Sequence, residues 1–105
     1  GGKRCALCDG PSEVIEAAHI VPVSENGSDD SGNGLLLCRN HHALFDMGKW
    51  CLEPSSLEVI PADGHDLKSL GVTRPNASHL QVPPNQEALD WRWGVFQHQQ
   101  PKTVA

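Results

Sequence analysis

The stretch Cys38-Arg39-Asn40-His41-His42-Ala43-Leu44-Phe45-Asp46-Met47-Gly48 decides how the rest of the chain is read. It opens on a C-x2-H pair and continues with helical spacing at Ala43, Leu44 and Met47. It closes on Gly48, the residue type that suits a left-handed helix C-cap. Successive helical residues diverge by roughly 100°, so the adjacent His41 and His42 are directed to different sites. On the same helix His42 and Asp46 are four apart and share a face, so an imidazole and a carboxylate can converge on a cation that His41 does not reach.

Upstream, Cys5-Ala6-Leu7-Cys8 is a C-x2-C pair, the spacing with which two thiolates grip one tetrahedral ion. Together Cys5, Cys8, Cys38 and His41 form a Cys3His set for structural Zn2+, which would pin the N-terminal segment to the start of the helix. Two alternatives stay open on the residues alone. Cys51 can replace His41 as fourth ligand, or else be a small buried apolar residue. Cys5 and Cys8 can instead be a redox pair, although the sequence offers no βαβ context for one. A metal staple matters because the chain has only 105 residues, 38% of them apolar and 5% aromatic, which leaves a small core to hold a domain.

Between the two knuckles, residues 14–20 (VIEAAHI) read as a strand and 34–37 (GLLL) as its partner. They are joined by VPVSENGSDDSGN, a polar loop with turn pairs at Asn26-Gly27 and Gly32-Asn33, longer than a hairpin requires. The order is strand, long loop, strand, helix. Beyond it, residues 49–52 and 57–60 predict a second hairpin around Glu53-Pro54-Ser55-Ser56, and residues 61–85 predict an irregular connection. Asn85 then caps a helix whose apolar face carries Leu89, Trp93 and Phe96, expected to pack on the strand-strand-helix unit.

His19 ends the first strand, Asn33 begins the second and His42 lies on the helix, so the chain reads His-x13-Asn-x8-His inside the zinc knuckles. With RCALC, AAHIVP, GNGLLLC and NHHALFDMG in that order over residues 4–48, this resembles the HNH endonuclease family. It is most similar to the branch found in bacterial restriction-type nucleases, including McrA-like enzymes that cut modified DNA. The late stretch PPNQEALDWRWGVF is similar to the closing helix of that branch. The resemblance implies an α+β fold: a small zinc-stapled ββα-metal (His-Me finger) core with a C-terminal hairpin and helix. It also implies metal-dependent hydrolysis of DNA phosphodiesters, leaving 5′-phosphate and 3′-hydroxyl ends. In it His19 is the general base, Asn33 holds the long loop and so orients His19, and His42 is a ligand of the catalytic cation with Asp46 beside it. Mg2+ or Mn2+ suits that cation first, with Ni2+, Co2+ and Zn2+ as further candidates. The sequence departs from the family at Ala18, where many members carry a metal-binding Asp or His. Glu16, two residues back on the same strand face, could contribute in its place, but a solvated surface glutamate is the plainer reading.

A net charge of −5 argues against a broad basic surface for nucleic acid. DNA binding is therefore expected to depend on a separate recognition domain, with Arg4, Arg39, Lys49 and Arg74 as candidate cations along the cleft and a homodimer as a further expectation. No apolar run approaches the length of a membrane span, and the start lacks a secretory core, so the expected setting is the bacterial cytoplasm. Gly1-Gly2 reads as a cloning remnant, and residues 1–105 as one HNH domain cut from a longer protein: a core at 4–48, then hairpin, connection and helix at 49–105. The rival is a catalytically silent zinc module that binds nucleic acid or protein. Ala18 favours it, and the joint presence of His19, Asn33 and His42 opposes it.

Overall fold

The computed structural model describes residues 4–9 and 14–100; Gly1 and Gly2 lie outside the described residues. Strand β1 (Ile15–His19) pairs antiparallel with β2 (Gly34–Cys38), from Ile15 opposite Cys38 to His19 opposite Gly34. This register sets His19 at the loop end of the hairpin and Cys38 at the other end. The long loop between them is bound to itself through two short 3-10 turns, Val23–Glu25 and Ser31–Asn33. Gly27 in this loop lies so close to the Val21 carbonyl that a Cβ there would collide with backbone, so the turn requires glycine.

Helix α1 (Arg39–Asp46) follows β2 directly, with the Cys38 sulfur accepting from the His41 amide at its N-terminus. Gly48, at φ 72°, turns the chain out of the helix, the conformation for which its sequence position marked it. The second hairpin is β3 (Trp50–Leu52) with β4 (Val59–Pro61), paired from Trp50 opposite Pro61 to Leu52 opposite Val59. The return strand begins two residues later than the alternation suggests. Glu53 accepts from the Ser55 and Ser56 amides, and Leu57 takes a positive φ of 61°, so the turn consumes Leu57 and Glu58.

Residues 62–85 are irregular, as their composition predicts, but they are not loosely attached. Val59 donates to Pro75, Ala77 donates to Leu57, and Glu58 bridges Asn76 along the outer edge of β4. Helix α2 (Gln86–Gln99) is capped by the Asn85 side chain, which accepts from the Glu87 and Ala88 amides. It packs chiefly against β3 of the second hairpin rather than on the first: Phe96 joins Cys51 and Ala62, while Ala88 and Leu89 reach the main core. Trp50 ties the two halves together, meeting Phe45 in a tilted ring contact at 4.7 Å between centroids and donating its indole N–H to the His41 carbonyl at 3.0 Å. No helix among the described residues is long and apolar enough to cross a membrane.

Candidate active site and metal cluster

Cys5, Cys8, Cys38 and His41 form a single cluster whose ligand atoms all lie within 4.8 Å of one another. A tetrahedral ion with Zn–S near 2.3 Å and Zn–N near 2.0 Å needs S to S edges of about 3.8 Å and S to N edges of about 3.5 Å. The sulfurs of Cys8 and Cys38 are 3.8 Å apart, and His41 Nδ1 lies 3.5 Å from the Cys5 sulfur and 3.2 Å from that of Cys38. His41 Nε2 meets the Leu70 carbonyl at 2.8 Å, so Nε2 carries a proton and Nδ1 is the nitrogen turned toward the sulfurs. The group could hold zinc, and both its spacing and the orientation of its imidazole fit that ion.

Cys5 is prepared for the role. Burial works to raise the Cys5 thiol, but hydrogen bonds from His41, from the Cys38 and Leu7 backbones and from Cys8 bring it down to about 6. Burial instead pushes Cys51 up to about 12, and it lies in the smaller cluster with Ala62 and Phe96. Cys51 is thus an apolar core residue and not the fourth ligand. Around the knuckle, Arg74 donates to the Cys5 and Cys8 carbonyls at 3.0 and 2.8 Å and pairs with Asp9. Residues 70–74 of the irregular connection therefore clasp the cluster from outside.

A second constellation opens on an exposed cleft lined by His19, Pro22, Val23, His42, Asp46 and Arg92. His42 Nδ1 is 2.8 Å from Glu16 Oε1, and its Nε2 is 3.4 Å from Asp46 Oδ2. With Nδ1–H donating to Glu16, Nε2 is the nitrogen turned to the Asp46 carboxylate one helical turn along α1. Those two donors suit one hard or borderline cation. Glu16 is therefore engaged by His42, with Arg39 at 3.9 Å, and is not the solvated surface glutamate that its strand position suggests. Ala18 on the same face is buried in the core and offers no ligand.

His19 Nε2 meets Asp29 Oδ1 of the long loop at 2.9 Å, which leaves Nδ1 as the nitrogen able to accept a proton. Asn33 is buried and spans the loop from inside. Its Oδ1 accepts from Val21 at 2.9 Å, and its Nδ2 donates to the Val21 and Ser28 carbonyls at 3.0 and 2.8 Å. The loop thus starts and ends on one side chain, immediately after His19.

None of Arg4, Arg39, Lys49 and Arg74 lines the cleft; Arg92 does, from α2. Its sequence signal was available, because Arg92 falls three residues after Leu89 and four before Phe96, a charge on an apolar helix face. Asp29 had no such signal, being one of several acids in a polar loop.

Comparison with known proteins adds three findings. The HNH endonuclease family matches residues 5–53. Among solved structures the chain is similar to the Modification dependent TagI restriction endonuclease, with a TM-score of 0.69 and 26% identity over 95% of this chain, which spans 34% of that protein's length. No curated protein matches the chain.

Proposed function

From the premise that residues 5–53 form a domain of the HNH endonuclease family, we propose that this chain hydrolyses DNA phosphodiester bonds in a cation-dependent reaction. The observation that carries the reading is the convergence of His19, His42 and Asp46 on one cleft, with each histidine held in a defined orientation by a carboxylate.

His19, anchored through Nε2 to Asp29, takes a proton at Nδ1 from the attacking water. Asn33 keeps that geometry by fastening both ends of the loop that follows His19. His42 Nε2 and Asp46 Oδ2 hold the divalent cation, Mg2+ or Mn2+ first and Ni2+, Co2+ or Zn2+ as alternatives, while Glu16 fixes the His42 ring from behind. When bound, that cation supplies charge neutralisation at the phosphate and stabilises the departing 3′ oxygen. Cys5, Cys8, Cys38 and His41 hold a structural Zn2+ that anchors α1 under the cleft.

The setting follows from charge and from the neighbouring structure. A chain of net charge −5 with one arginine in its cleft gains DNA affinity from a separate recognition module, in a cytoplasmic restriction-type enzyme that reads base modification and dimerises for double-strand cuts. The similarity to a modification-dependent restriction endonuclease, of which this chain spans about a third, supports that placement. The buried Ala18 supports the second reading, a zinc module without catalysis.

The deciding experiment is plasmid nicking by the full-length protein with Mg2+, Mn2+, Ni2+ or Co2+, beside a His19→Ala control. Nicking by wild type and not by the control is expected. Equal inertness of the two on every DNA and metal would favour the silent module.

A further inference from the structure

Arg92 belongs to neither the HNH spacing nor the zinc cluster, yet it is the one lysine or arginine among the described residues lining the cleft. Its side chain is 15% exposed, and its guanidinium carbon sits 4.1 Å over the Phe45 ring. The nearest carboxylate oxygen, Asp46 Oδ1, is 3.7 Å from Nη2, too long for a hydrogen bond. Phe45 therefore fixes the plane of the group from one side by a cation–π contact, and its forked donors make no hydrogen bond to another described residue.

The arrangement has a geometric consequence. Asp46 is shared, with Oδ2 toward His42 Nε2 and Oδ1 toward Arg92. A cation held by His42 and Asp46 draws on the carboxylate charge that faces Arg92. The guanidinium then lines, beside Asp46, the same cleft as His19, the cleft in which a phosphate attacked by water from His19 would lie.

We propose that Arg92 binds a non-bridging oxygen of the scissile phosphate and stabilises the charge that gathers there in the transition state. This rests on the nuclease reading for its rate effect but not for its anion contact. Helix α2, from outside the residues matched to the family, would then complete the site.

The test uses full-length protein, with Arg92→Gln, Arg92→Lys and His19→Ala as variants. Two readouts are taken: nicking of supercoiled plasmid across an Mn2+ titration, and fluorescence anisotropy with a short DNA duplex across a salt series. Loss of one transition-state donor costs about 10²–10³ in rate, which is the drop expected for Arg92→Gln at saturating Mn2+. Loss of one phosphate contact should also lower the slope of log K against log salt by about 0.9. Arg92→Lys keeps the charge and loses the fork, so it should keep the slope but cut at least tenfold more slowly. If Arg92→Gln does not fold, the lysine variant decides, and a wild-type rate in it overturns the proposal. A wild-type rate in Arg92→Gln, or its full recovery by added Mn2+, would mean that Arg92 acts only through Asp46 and would also overturn it. If wild type and His19→Ala are equally inert, the nuclease reading fails. The salt slope still decides the phosphate contact: a lower slope for Arg92→Gln supports it and an unchanged slope refutes it.

Discussion

His42 has a carboxylate on each ring nitrogen, and His41 has sulfur on one and a carbonyl on the other. The same residue type, one position apart, therefore carries opposite costs. His41→Ala removes a buried zinc donor, so bound zinc and the cooperative melting transition should both be lost. His42→Ala should leave the melting temperature nearly unchanged, as substitutions outside the core usually do, while abolishing nicking. Zinc content and a circular-dichroism melt on both variants check this, and a folded, zinc-loaded His41→Ala would refute the ligand assignment. Glu16→Gln should keep the fold and lower activity about 10–100-fold at limiting Mn2+, the usual cost of losing a carboxylate behind a metal-binding histidine. A Mn2+ titration that superimposes on wild type would show Glu16 to be uninvolved. His41 and His42 could be sorted in the sequence, since helical rotation separates neighbours. Glu16 and Asp29 could not, because each becomes a histidine partner only when distant backbone segments bring it there.

The elements follow their local chemistry where that chemistry is strong. Asn85 caps α2 with two amide contacts, and Asn85→Ala should cost ~1 kcal/mol in a urea melt of the zinc-loaded protein; an unchanged midpoint would show the cap to be idle. Gly48 adopts φ 72°, a conformation in which a Cβ is strained, so the helix stop seen in the sequence is a backbone requirement. Where local signals compete, the reading slips. Residues 57–60 alternate like a strand, yet the hydrogen bonds of Glu53 to the Ser55 and Ser56 amides, with Leu57 at positive φ, move β4 to Val59–Pro61. Helix α2 was readable as an amphipathic helix, but its periodicity does not name its partner. Phe96 settles against Cys51 and Ala62, Ala88 and Leu89 reach the main core, and Arg92 lies over Phe45.

For the whole molecule the Cys3His cluster joins three distant stretches: the N-terminal knuckle, the β2–α1 junction and, through Leu70 and Arg74, the irregular connection. Structural zinc contributes about 10–16 kcal/mol in small domains, more than the ~5–15 kcal/mol by which a whole domain is stable. Chelation with a strong zinc ligand should therefore erase most of the far-ultraviolet signal, and zinc should restore it. An unchanged spectrum at zero bound zinc would refute the staple. The grouping of Cys5, Cys8, Cys38 and His41 and the ββα order were legible in the chain, because each rests on short spacings that backbone geometry converts directly into position. The pairing of Glu16 with His42, the anchoring of His19 by Asp29 and the entry of Arg92 into the cleft were not. They depend on strand register, loop closure and the packing of α2, which long-range burial sets and no local spacing records.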